Sequence, residues 1–181
     1  MKRAFWGLLT VSAILTASCG GNSEGKLLES SSADDVKNAI QYSTRYDRKR
    51  IAVEGYITFS TADVEGKIAK LDLSDTPVKG GETLLSFEIK EGNVQNCIDF
   101  GETTNARTGG YRTTVSDVDF DEVRIYDNDG EAYPLTQKIR LSGDITYIRG
   151  MDGEYTSMEA FEKGKTQYNF EFKNVRVDVV E

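Results

Sequence analysis

The sequence predicts an all-β domain: a small five-stranded Greek-key barrel, with one helix ahead of it and an extra β-hairpin inserted late. Three observations carry that reading. Five stretches alternate apolar and polar residues with a period of two. Two of them nearly repeat each other. IAVEGYITF at 51–59 returns 88 residues later as IRLSGDITY at 139–147, with Ile, Gly, Ile and Thr at matching places. Between the third and fourth stretches, EVRIY and EAYPL flank Asp127-Asn128-Asp129-Gly130, a strong hairpin turn.

Residues 1–18 stand apart from the fold. They open with Lys2 and Arg3, carry an apolar run from Ala4 to Leu15, and close on Ala17 and Ser18. A basic start, a short apolar run and small closing residues make a secretory signal peptide, and the run is short for a membrane span. Cys19 follows directly. Thr16-Ala17-Ser18-Cys19 resembles the lipobox of bacterial lipoproteins. The resemblance implies cleavage before Cys19, lipidation of its thiol, and a membrane as first partner: an exported, lipid-anchored chain of the bacterial cell envelope, at the outer rather than the inner membrane. The alternative is an ordinary secretory peptide that happens to contain a cysteine.

Residues 19–32 are rich in Gly and Ser and read as a flexible tether with a reach on the order of 20 Å. The domain then spans 33–181. Ser32 caps ADDVKNAIQYSTRY, whose early acids and apolar Val36, Ala39, Ile40 and Tyr46 predict a short helix with an ill-defined end. The first strand runs from Arg50 to Phe59, and STADVEG breaks it. Ala69, Leu71 and Leu73 make a second strand, and Leu85, Phe87 and Ile89 a third. From 91 to 121 the pattern weakens: NVQNCIDF fits one turn of helix and GETTNARTGGYRTTVSD a loop. The hairpin and the repeat strand follow. In YNFEFKNVRVDVV, the alternation of Tyr168, Phe170 and Phe172 shifts parity at Val175, Val177 and Val179, which predicts a bulge at Lys173-Asn174.

Glycine weakens a strand interior, so Gly55 and Gly143 at the same place in two like strands require a cause. A sharp bend in neighbouring strands that close one barrel supplies it. The pattern RKRIAVEGYITF and QKIRLSGDITYI resembles strands 1 and 4 of an OB-fold. With the leading helix and the closing FKNVRVDVV, the chain is similar to small lipoprotein members of the anticodon-binding-like OB family. The resemblance covers about 33–181 and departs from a minimal OB-fold at 91–138, where a single helix is usual. Two unrelated strands of a sandwich that share a pattern are the alternative.

Composition narrows the chemistry. Histidine is absent from all 181 residues, so no Ser-His-Asp or Cys-His arrangement and no imidazole-bound metal is available. With Cys19 lipidated, Cys97 is a lone thiol among apolar neighbours and reads as a small core residue. No P-loop, Rossmann glycine set or Gly-x-Ser-x-Gly occurs. DNDGE does not fit a calcium loop, since Ile125 and Thr136 would take its first and last ligand positions. No catalytic residue, metal ligand or cofactor is assigned.

The OB resemblance implies a ligand face on strands 2 and 3 and on the loop between strands 4 and 5, with Lys70, Arg149, Tyr155 and Phe161 as candidate binding residues. Removing residues 1–18 deletes two of 22 basic residues and none of 30 acidic ones, leaving 20 against 30 and a charge of −10. That balance opposes a nucleic-acid partner. The expectation is a non-catalytic binding or accessory module of the envelope, with an envelope protein as a possible partner. The alternatives are an oligonucleotide or oligosaccharide binder using the OB face, and a carboxylate-dependent hydrolase.

Overall fold

The computed structural model describes residues 23–28, 32–65, 68–77, 81–101, 106–109, 112–115, 119–149, 154–155 and 162–181. Its elements are β1 (Lys26–Leu27), α1 (Ala33–Ile40), β2 (Lys49–Glu65), β3 (Ile68–Ser74), β4 (Thr83–Glu91), β5 (Cys97–Asp99), β6 (Ala106–Gly109), β7 (Arg112–Val115), β8 (Arg124–Tyr126), β9 (Ala132–Pro134), β10 (Ile139–Tyr147), β11 (Glu154–Tyr155), β12 (Gln167–Tyr168) and β13 (Phe170–Val179). The chain is mostly β, as the alternation predicts. Its main sheet is mixed and open, ordered β13-β10-β2-β3-β4-β5-β8-β9.

The two like strands are direct neighbours. β2 and β10 pair antiparallel, with Ile51 opposite Gly143 and Gly55 opposite Ile139. Each glycine therefore faces the isoleucine of the other copy, with Val53 and Leu141 paired at the centre. What requires glycine at both places is close approach. A Cβ on Gly143 would stand 2.4 Å from the Phe172 ring, and one on Gly55 would stand 2.5 Å from the Ser74 carbonyl oxygen. Gly55 is also where β2 changes partner, from β10 to β3, whose first pair is Tyr56 with Ser74.

The parity shift in the last strand is a bulge. Two steps of β10, from Ser142 to Asp144, lie against three of β13, from Lys173 to Arg176. Asn174 in that bulge has φ 52°, a left-handed conformation that Asn tolerates better than most residues. Its amide donates to Asp144 Oδ2 at 2.8 Å. Arg50, opposite Asp144 in register, reaches Asp144 Oδ1 at 3.2 Å and the Asn174 carbonyl at 2.9 Å. Three strands are thus tied at one corner.

Several local expectations give way to long-range pairing. STADVE is not a break: β2 continues through it, because Ala62 to Glu65 pair with β7. NVQNCIDF is not helical, because Cys97 to Asp99 run parallel to β4 and antiparallel to β8. Part of the expected loop at 101–117 is the β6–β7 hairpin. The β8–β9 hairpin forms where the Asp-Asn-Asp-Gly turn predicts it.

Residues 23–28, assigned to the tether by composition, are seated on the sheet. β1 pairs parallel with β2, Leu28 is 8% exposed, and the Gly25 N–H donates to Ser142 Oγ at 3.0 Å. The helix is capped as its sequence predicts, with Ser32 Oγ accepting from the Asp35 N–H at 3.2 Å. Its end, ill-defined in the sequence, is at Ile40. The next carbonyl, of Gln41, is taken by the Tyr168 N–H at 2.8 Å.

One core joins these parts. Val36 and Ile40 of the helix are buried with Ile51, Val53, Leu73, Leu85, Leu141 and Ile145 of the strands. Ile98, Phe100 and Ile125 belong to the same cluster, so the 91–138 insertion extends the main sheet and shares its core. Cys97 is a buried free thiol.

Candidate functional site

β4 and β13 come within 8 Å of each other, Cα to Cα, without forming a ladder. They run side by side in the same direction, and three clefts follow the seam between them. The largest, about 390 Å³, lies toward the C-terminal end of β4 and the middle of β13 and is lined by Ile68, Lys90, Gln95, Asn96 and Asn174 among others. The second, about 240 Å³, shares Glu88 and Lys173 with it and adds Lys70, Phe170 and Glu171. The third, about 200 Å³, shares Ser86 and Phe170 with the second and adds Gln41, Tyr168 and Asn169. From Thr83 to Lys90 the seam is about 23 Å long, at roughly 3.3 Å per strand residue. It is one segmented groove.

Two latches set its ends. At one end the Tyr168 N–H is held by the Gln41 carbonyl, and Gln167 Nε2 donates to Gln41 Oε1 at 3.1 Å. At the other, the Val177 N–H donates to Asn96 Oδ1 at 2.7 Å and the Val177 carbonyl accepts from the Asn128 N–H at 2.8 Å. Asn96 Nδ2 also donates to Asn128 Oδ1 at 3.2 Å. Asn96 has φ 55°, so asparagines in the left-handed region shape both walls of the largest cleft.

The groove is lined by polar and apolar groups in about equal measure and is nearly neutral. Lys70 stands opposite Glu88 in register, with Nζ to Oε1 at 3.7 Å, and Lys173 Nζ is 3.0 Å from Glu171 Oε2. Ser86 Oγ donates to Asp72 Oδ1 at 2.6 Å on the same outer face. Lys70, Lys90 and Lys173 are therefore set against Glu88 and Glu171, among amides and the Tyr168 and Phe170 rings. Among the described residues, no three His, Cys, Asp or Glu side chains converge as a metal site.

The shifted acids lie elsewhere. Hydrogen bonds from the Arg149 guanidinium and the Tyr147 N–H hold the Asp47 carboxyl below its ordinary range. Burial pushes the Glu54 carboxyl up, but hydrogen bonds from Arg140 and Lys138 outweigh it and hold the group below the usual value. Burial, with Asp47 nearby, pushes the Tyr147 phenol well up, and its hydroxyl donates to the Ile40 carbonyl at 2.7 Å. These groups fasten structure; none lines the groove.

The candidate residues scatter. Lys70 lines the groove. Arg149 does not; it is 74% exposed and pairs with Asp47 at 2.8 Å. Tyr155 is described through its backbone alone, paired with Gln167. Cys19 and Phe161 lie outside the described residues. Sequence reasoning missed Lys90, Asn96 and Asn169, because nothing local reveals which strand edges abut. The alternation that put Lys70 on the outer face and the parity shift at Lys173-Asn174 both pointed into the site.

No family model, curated protein or solved structure matches the chain.

Proposed function

We propose that this chain is a non-catalytic binding module of the bacterial envelope, anchored by lipid at Cys19 and taking an extended polar ligand in the β4–β13 groove. The carrying observation is the groove itself: three connected clefts about 23 Å long between two strands that share no ladder. An OB-like barrel is the architecture that fits. The order β13-β10-β2-β3-β4 is the OB order of strands 5-4-1-2-3, and β4 and β13 flank the line where such a barrel would close. The near-neutral lining, with amides and aromatic rings, favours a glycan or peptide over a nucleic acid, whose phosphates need a positive groove. The chain has no histidine, so Ser-His-Asp and Cys-His hydrolysis are unavailable to it.

A pull-down from detergent-solubilised envelope, comparing the wild-type protein with Lys90→Glu/Lys173→Glu, tests the groove. Ligands or partners retained by the wild type and lost by the variant support it; identical recovery by both removes it. Titration with soluble peptidoglycan fragments and with oligodeoxythymidylate separates ligand classes. Salt-tolerant saturation by the former is expected, and salt-sensitive saturation by the latter would reverse the assignment. Radiolabelled fatty acid incorporated equally by wild type and Cys19→Ala would remove the anchor.

A further inference from the structure

We propose that the corner where the chain leaves the sheet, at Ser23 and the start of β2, is a membrane-contacting surface that seats the domain on an anionic bilayer. The inference rests on the anchor reading of Cys19, and chain length drives it. Residues 23–28 are fixed to the domain: the Leu28 N–H donates to the Ala52 carbonyl at 3.0 Å, Arg50 Nε donates to the Ser23 carbonyl at 2.6 Å, and Glu24 pairs with Arg176 at 3.6 Å. Gly25 is pressed so close that a Cβ would stand 2.2 Å from the Ile51 carbonyl oxygen. The part of the chain fixed to the domain therefore begins at Ser23, four residues from Cys19. At no more than about 3.6 Å per residue, a lipid at Cys19 holds Ser23 within about 14 Å of the membrane.

The parallel pairing of β1 with β2 points Ser23 toward the start of β2, where Arg45, Arg48 and Lys49 cluster. The one acid in that turn, Asp47, is bound by Arg149 at 2.8 Å and by the Tyr147 N–H at 3.2 Å. Beside it, Ile148 is an isoleucine 43% exposed to solvent. A cationic corner with an exposed aliphatic side chain, on a chain of net charge −8, matches an anionic lipid surface. Such a surface favours each nearby Lys or Arg by about fivefold.

The full-length lipidated protein, reconstituted in vesicles of phosphatidylcholine with or without phosphatidylglycerol, tests this by pulsed amine acetylation read by mass spectrometry. Lys26 and Lys49 report on the corner, and Lys138 on the opposite end of the β2–β10 ladder. We expect acetylation of Lys26 and Lys49 to slow at least about fivefold when phosphatidylglycerol is present, with Lys138 unchanged. Arg48→Asn, which suits the left-handed backbone at this position (φ 57°), should weaken that protection. Equal labelling of Lys49 in both kinds of vesicle overturns the proposal. The anchor reading fails separately, if Cys19→Ala stays on vesicles as firmly as the wild type in about 1 M salt, which screens charge attraction.

Discussion

Gly143 and the Phe172 ring share one space. The ring edge occupies the place where any other residue at 143 would put its Cβ, 2.4 Å from ring carbon. Gly143→Ala should therefore destabilise the fold by about 1–3 kcal/mol, the usual cost of overpacking a core. Urea melts measure it. Phe172→Leu should recover part of the loss in the double variant, and strictly additive effects would refute the shared-space account.

Asn174 carries the bulge with a left-handed backbone and a bond to Asp144. Asn174→Gly keeps the conformation and loses the bond, so a change within about 1 kcal/mol is expected. Asn174→Val forces a β-branched residue into the same conformation and should cost about 2 kcal/mol more. Thermal melts of the pair decide it. Equal stability would mean that the bulge relaxes.

Asn96 fixes the far end of the groove through Val177 and Asn128. Asn96→Ala leaves the Val177 N–H without its acceptor and should cost about 1–3 kcal/mol. Amide exchange at Val177 should quicken more than at Leu141, on the neighbouring strand. Uniform quickening across both strands would argue against a local latch.

Glu54 joins β2 to Lys138 at 3.1 Å and to Arg140 at 2.9 Å. Its carboxyl titrates below the ordinary value in the folded chain, so its contribution is present above the unfolded pKa and is lost as pH falls through the folded one. Glu54→Gln should be less stable than wild type by roughly 1 kcal/mol near pH 7, with the gap closing below about pH 4. Denaturant titrations at both pH values check the sign.

Alternation marked the repeat strand 139–147 residue for residue, and the parity shift marked the bulge. Both are local signals in which a buried face imposes a period of two. Cys97 to Asp99 and Ala62 to Glu65 misled because their strand character comes from pairing with β8 and β7, which are distant in sequence. The groove was barely legible for the same reason. Asn96 and Asn174 lie 78 residues apart and meet in one cleft only through the strand order. Lys70 was found because strand alternation set it on the outer face; Lys90 lies beyond the last residue of that pattern to be weighed.

The short parallel pairing of Lys26 and Leu27 with β2 also sets a mechanical property. Tension applied to the chain at Ser23 would load it along the strand axis. The β1 hydrogen bonds, the Arg50 clasp on Ser23 and the Glu24–Arg176 pair would then bear the force together in shear, instead of parting one after another like a zipper. The seating of residues 23–28 on the sheet is a geometry that resists tension.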